Sequence, residues 1–71
     1  MPDYEGEGEG KPLGDGVAIG ISAESVDNAI RAAVHAANQP HGTWFVVSSV
    51  MVQSVNDPNV GGYKVVITPG G

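Results

Sequence analysis

The sequence predicts an α+β domain in which one helix packs on a three-stranded antiparallel sheet, in the chain order β-α-β-β. Residues 23–38 repeat small apolar side chains at steps of three and four, which is the period of a helix packed on one face. Residues 17–22, 43–55 and 63–68 are rich in β-branched or aromatic side chains, which favour strands. Residues 56–62 are rich in Asn, Pro and Gly, as hairpin connections are.

The first sixteen residues, MPDYEGEGEGKPLGDG, are expected to form a disordered acidic tail that precedes the folded domain. Alternating Glu and Gly provides no hydrophobic face to offset the entropy of ordering the chain. Five of the eight acidic residues lie in this tail, which we interpret as a solubilising extension. An acidic recognition segment and a weak calcium site are the alternatives. Three basic residues in the whole chain are too few for a nucleic-acid interface.

The first strand is predicted at residues 17–22, where Gly20 indicates a bulge or the close approach of another backbone. Ser22 is expected to cap a helix that runs from about Ala23 to Asn38, and Pro40 prevents its continuation. Its predicted apolar stripe is rich in alanine, which would allow close packing on a sheet. The stripe consists of Val26, Ala29, Ile30, Ala33, Val34 and Ala37.

The second strand, residues 43–55, is apolar on both faces. A period of two places Phe45, Val47, Met51 and Val55 on one face, and Trp44, Val46, Val50 and Val52 on the other. One helix covers one face, so we expect the other face to meet a second copy of the chain. Homo-oligomerisation is also expected because a domain this small has little core, and the chain has no cysteine for a stabilising disulfide.

The hairpin makes the second and third strands antiparallel neighbours. The first strand joins an antiparallel sheet only beside the third, so the expected spatial order is second, third, first. No internal repeat divides the domain. No apolar run reaches the roughly 20 residues of a membrane span, and no signal peptide is evident. We therefore expect a soluble, cytoplasmic protein that does not act on membranes.

The sequence offers little catalytic chemistry, and we expect the protein not to be an enzyme. Neither His35 nor His41 has a Ser or carboxylate at a spacing that predicts a triad. Asp57 and Asn59 have the residue types of a turn, and no metal site is predicted. Trp44 is the candidate functional residue, either as a stacking platform for a planar ligand or as a core or interface anchor.

The segments SVDNAIRAAV, WFVV and YKVVI, in this order, resemble the dodecins, which are small flavin-binding proteins with a β-α-β-β fold. The resemblance covers roughly Val17 to Thr68 and implies a dodecin-like domain over residues 17–71. It implies a hollow homo-oligomer of twelve copies that stores a flavin (FMN, FAD or riboflavin) without turnover. Trp44 would stack on the isoalloxazine ring, and Tyr63 would open the last strand.

Lys64 occupies the position at which dodecins commonly have a glutamine that binds the edge of the flavin ring. An ammonium group has three donors and no acceptor, so Lys64 could meet a flavin carbonyl or phosphate. Val46 occupies the position of an acidic residue in that family. The alternative is a structural or protein-interaction module of the same fold, which assembles without a flavin.

Overall fold

The computed structural model describes residues 8–70 and has, within them, one helix and one four-stranded antiparallel sheet. The elements are β1 (Glu9–Gly14), β2 (Val17–Ser22), α1 (Val26–Ala37), β3 (Phe45–Asn56) and β4 (Asn59–Pro69). The strand order is β1-β2-β4-β3, so β3 and β1 are the two edges. This confirms the α+β class and the order of the three predicted strands.

The prediction of a three-stranded sheet is wrong because the expected tail contributes β1. Glu9 pairs with Ile21 of β2, and Lys11 pairs with Ile19. Residues 14–16, with sequence Gly-Asp-Gly, all have positive φ (109°, 56° and 80°), which makes the tight connection between the two strands possible. The expected disorder therefore does not hold for residues 9–14. Residues 1–7 lie outside the described part of the chain, and the expectation for them stays a prediction.

The helix lies across β1, β2 and β4 and approaches the sheet at two glycines. A Cβ atom built on Gly20 would overlap the carbonyl oxygen of Ala29, and one built on Gly10 would overlap that of Ala32. The close approach predicted at Gly20 is confirmed. The core beneath the helix is small and made mostly of alanine. It consists of Ala18, Ala29, Ala33, Ala37, Val65 and Ile67.

The buried face of the helix differs from the predicted stripe. Ala32 is fully buried, whereas Val34 leaves 42% of its surface exposed. The reason is β1, because a fourth strand beside β2 gives the helix a surface on which Ala32 and Ala36 also pack. The helix is therefore seated toward the β1 edge of the sheet and away from the β3 edge.

The helix begins three residues later than predicted. Ser25 is its N-cap, and its hydroxyl accepts a hydrogen bond from the Asn28 amide at 3.0 Å. Ser22, the predicted cap, ends β2 and is buried, with its hydroxyl accepting from the Glu24 amide at 2.9 Å. Asn38 ends the helix in the left-handed conformation.

The two faces predicted for the long strand are partly exchanged by a β-bulge. Val47 pairs with Ile67 and Ser49 pairs with Val66, so Ser48 is an extra residue in β3. An extra residue moves every later side chain to the opposite face. Because Val65 and Ile67 are buried beneath the helix, their partners Val50 and Val47 share the helix side of the sheet.

The opposite side of the sheet carries no helix, and we call it the outer face. Val46, which pairs with Thr68, and Met51, which pairs with Lys64, lie on it. The predicted grouping of Met51 with Val47, and of Val46 with Val50, is therefore wrong. The β3-β4 connection is also tighter than predicted, because the turn is formed by Asp57 and Pro58 and β4 already begins at Asn59.

Candidate functional site

The long strand β3 is uncovered on both faces along most of its length. Its apolar side chains leave 41–60% of their surface exposed, and these are Val46, Val47, Val50, Met51, Val52 and Val55. Phe45, at the start of the strand, packs against the core. The prediction that the helix covers one face of this strand is wrong, because the helix packs on β1, β2 and β4.

The backbone edge of β3 is as unusual as its side chains. The strand is twelve residues long and pairs with β4 on one side, while its other side forms the edge of the sheet. It has no charged residue and no proline, which are the usual means by which proteins prevent edge strands from pairing with other chains. This edge is therefore chemically suited to pairing.

Trp44 precedes β3 and leaves 78% of its surface exposed. Its backbone is held in place, since its carbonyl oxygen accepts a hydrogen bond from the Gly70 amide at 2.9 Å. The preceding turn is fixed by Thr43, whose hydroxyl donates to the Pro40 carbonyl at 2.6 Å. An anchored backbone thus presents the indole to solvent. This position excludes the core role that the sequence left open for Trp44.

Lys64 lies in a shallow depression of about 400 Å³. The lining residues are Ile21, Met51, Val52, Gln53, Gly62, Tyr63 and Lys64. Lys64 pairs with Ile21 on one side and with Met51 on the other, so its charge is flanked by two apolar side chains on the outer face. Tyr63, the neighbouring candidate, packs partly against the core. The depression thus combines an apolar floor, one cation and the amide of Gln53.

A single chain does not bring Trp44 to Lys64 and Tyr63. Trp44 adjoins Phe45, which pairs with Pro69, whereas Lys64 pairs with Met51. Phe45 and Met51 are six positions apart along β3, which corresponds to roughly 20 Å at the rise of a β-strand. One planar ring cannot contact both within one protomer. The three candidate residues therefore form one site only if two copies of the chain contribute to it.

A second depression, of about 470 Å³, lies at the C-terminal end of the helix and contains both histidines. Its charged neighbour Arg31 is already paired with Asp27 at 2.9 Å. Within residues 8–70, no group of three or more His, Cys, Asp or Glu side chains is arranged to hold a metal ion. In the same part of the chain, no helix has the length and apolar character needed to cross a membrane.

Of the candidate residues predicted from the sequence, Tyr63 and Lys64 line the depression and Trp44 does not. Ile21, Met51 and Gln53 also line it and were not predicted. Ile21 could have been placed, because it alternates with Gly20, whose side faces the helix. Met51 could not, because the bulge at Ser48 moves it to the face opposite the predicted one, and the same bulge determines the face of Gln53. Comparisons with protein-family models, curated proteins and solved structures find no match. The resemblance to dodecins therefore rests on the sequence segments alone.

Proposed function

We propose that the chain is a non-catalytic, homo-oligomeric binding protein for a planar, flavin-like ligand. The observation that carries this proposal is the exposure of Trp44, a residue that leaves 78% of its surface exposed on a hydrogen-bonded backbone. An aromatic side chain buries a large apolar area when it is covered, and its flat face favours stacked rings. Trp44 therefore suits a ligand with an aromatic ring system.

The depression around Lys64 suits the other part of such a ligand. Ile21 and Met51 provide apolar surface, and the Lys64 ammonium provides donors for a phosphate or a ring carbonyl. The Gln53 amide adds both a donor and an acceptor. A flavin has an aromatic ring, ring carbonyls and, in FMN or FAD, a phosphate. Its chemistry therefore matches both parts of the surface, in agreement with the dodecin resemblance.

The proposed role is storage or buffering of the flavin in the cytoplasm, with no turnover. Neither histidine and no carboxylate lines the depression around Lys64, and these are the groups that most often act as general acids and bases. Stacking on an indole would shield the flavin ring and quench its excited state. The resemblance to dodecins supports twelve copies, and the exposed apolar side chains of β3 support a homo-oligomer.

The test is a fluorescence titration of riboflavin and FMN with the purified protein. We expect quenching with wild type and its loss in Trp44→Ala, because the stacking partner is removed. Leu13→Ala is the matched control, since Leu13 is 53% exposed on β1 at the opposite edge of the sheet. Far-UV circular dichroism shows whether each variant is folded. Absence of quenching by wild type would contradict the proposal.

Lys64→Gln separates two roles for the ammonium group. If Lys64 binds the phosphate, the substitution should weaken FMN binding and leave riboflavin binding nearly unchanged. If Lys64 binds a ring carbonyl, both ligands should respond alike, since glutamine also provides a donor. Lys64→Ala has no side-chain donor, and equal affinity of Lys64→Ala and wild type for both ligands would remove Lys64 from the proposed site.

A second candidate function, assembly without any ligand, is favoured by the exposure of β3 on both faces. In that case Trp44 is an interface residue and not a ligand platform. Trp44→Ala would then lower the mass of the oligomer in light scattering. Loss of quenching with an unchanged oligomer mass would instead favour the ligand proposal.

A further inference from the structure

We infer that β3 pairs edge to edge with β3 of a second copy, in antiparallel orientation, so that two four-stranded sheets become one sheet of eight strands. This inference rests on the proposed homo-oligomer and names its interface. The unpaired edge of β3 extends over twelve residues without a charge or a proline. The partner that such an edge accepts is another strand, because a strand satisfies its free amide and carbonyl groups.

Apolar side chains on both faces of β3 support a strand as the partner. A protein docked on the outer face would cover Val46 and Met51 but leave the helix-side residues Val50 and Val52 exposed. An added strand has side chains on both faces, so it extends the helix-side and the outer rows together. Two copies of β3 provide apolar residues for both rows.

The β3 sequence is complementary to itself in one antiparallel register. With a two-fold axis between Ser48 and Ser49, Phe45 lies opposite Val52 of the partner subunit. Val47 then lies opposite Val50 of the partner subunit, which joins two helix-side residues. On the outer face, Val46 lies opposite Met51 of the partner subunit. Every one of these opposed pairs is apolar and shares a face, and the serines meet at the axis.

Other registers fit less well. A shift of the partner by one residue places helix-side residues opposite outer-face residues, which the pleat of a sheet does not allow. A shift by two residues, in either direction, places serines opposite valines. The bulge at Ser48 explains why the favoured axis lies where it does, because the face of each residue is reversed beyond the bulge and the pattern becomes symmetric about it.

The same register completes the candidate ligand site. Trp44 falls opposite Gln53 of the partner subunit, and by alternation from Phe45 it points to the outer face. Gln53 lines the depression that contains Lys64 and Met51. Within one chain, Trp44 lies roughly 20 Å from this depression along the sheet. The second copy therefore supplies the indole to the depression. Each dimer would contain two such composite sites.

Disulfide cross-linking between two single-cysteine variants tests the register, and the chain has no cysteine of its own. Val46→Cys and Met51→Cys are mixed and oxidised. Directly opposed residues have Cβ atoms about 4.5–5.5 Å apart, which is close to disulfide geometry. We expect the covalent dimer from the mixture and monomers from either variant alone. The mixture of Leu13→Cys with Met51→Cys is the control, and equal cross-linking in both mixtures would overturn the inference.

A charge placed in the edge provides a second test. Val50 and Leu13 are both 53% exposed, and both lie in edge strands. Val50→Lys should reduce the mass in light scattering below that of the wild-type assembly, while circular dichroism shows a folded chain. Leu13→Lys should keep the assembly. An intact oligomer of folded Val50→Lys would overturn the inference.

Both tests are independent of any ligand. Cross-linking in the expected register without flavin quenching would remove the ligand proposal and leave the strand pairing in place. Flavin quenching without cross-linking would remove the strand pairing and leave the ligand proposal in place.

Discussion

A methyl group added at Gly20 tests how the helix is seated on the sheet. In Gly20→Ala, the new Cβ would overlap the carbonyl oxygen of Ala29 and lie 2.8 Å from the amide nitrogen of Ala33. Both atoms belong to the helix backbone, so no side-chain rotation relieves the overlap. The helix has to move away from β2, and Ala29 and Ala33, which are fully buried, lose packing contacts.

The expected loss of unfolding free energy is about 2 kcal/mol. Overpacking of a core costs typically about 1–3 kcal/mol, and the upper part of the range applies because backbone atoms obstruct the methyl group. The entropic gain from replacing a glycine offsets about 0.4–1 kcal/mol of that cost. Domains have a stability of roughly 0.05–0.15 kcal/mol per residue, so this loss is a large part of the total for a chain of 71 residues.

Urea denaturation followed by far-UV circular dichroism measures the effect, at one protein concentration because an oligomer is expected. Gly62→Ala is the matched control. It also lies in a strand, and the nearest atom to its built Cβ is at 3.4 Å, an ordinary contact. We expect Gly62→Ala to stay within about 1 kcal/mol of wild type. Equal urea midpoints for the two variants would refute the close packing of the helix backbone on Gly20.

Three further substitutions test the local structure by the same denaturation assay. Gly10→Ala should destabilise the fold by about 1–3 kcal/mol, because its Cβ would overlap the Ala32 carbonyl oxygen; no effect would show that β1 is not docked. Ser25→Ala should cost about 1 kcal/mol through loss of the N-cap, and a neutral result would place the cap elsewhere. Asp27→Asn should cost less than about 0.5 kcal/mol, since its ion pair with Arg31 is exposed; a larger loss would contradict this.

The sequence was sufficient to predict the elements whose periodicity is strong. The helix, the strand at residues 17–22 and the order of the last three strands follow from side-chain spacing and a short connection. It was not sufficient for β1, because Glu-Gly alternation normally indicates disorder. Gly10 instead belongs to an ordered strand, because the helix backbone passes over it and leaves no room for a side chain. The Gly-Asp-Gly segment before Val17 was the available signal for the hairpin.

The candidate site was predictable in part of its residues but not in its arrangement. Trp44 was predicted from residue type and Lys64 from the dodecin resemblance, and neither source places them roughly 20 Å apart along the sheet. The bulge at Ser48 has no sequence signal that distinguishes it from a regular position, yet it places Met51 on the same face of the sheet as Lys64. Such a shift arises from pairing with β4, which involves residues distant in sequence.

The uncovered strand β3 is the central feature of this account, and native mass spectrometry of the purified chain tests it most directly. We expect a particle containing an even number of 7.2 kDa chains, because two copies pair along β3 around a two-fold axis. Additional mass equal to a flavin would support the ligand proposal as well. A monomer, or a particle with an odd number of chains, would contradict the pairing of every β3 edge with a second copy.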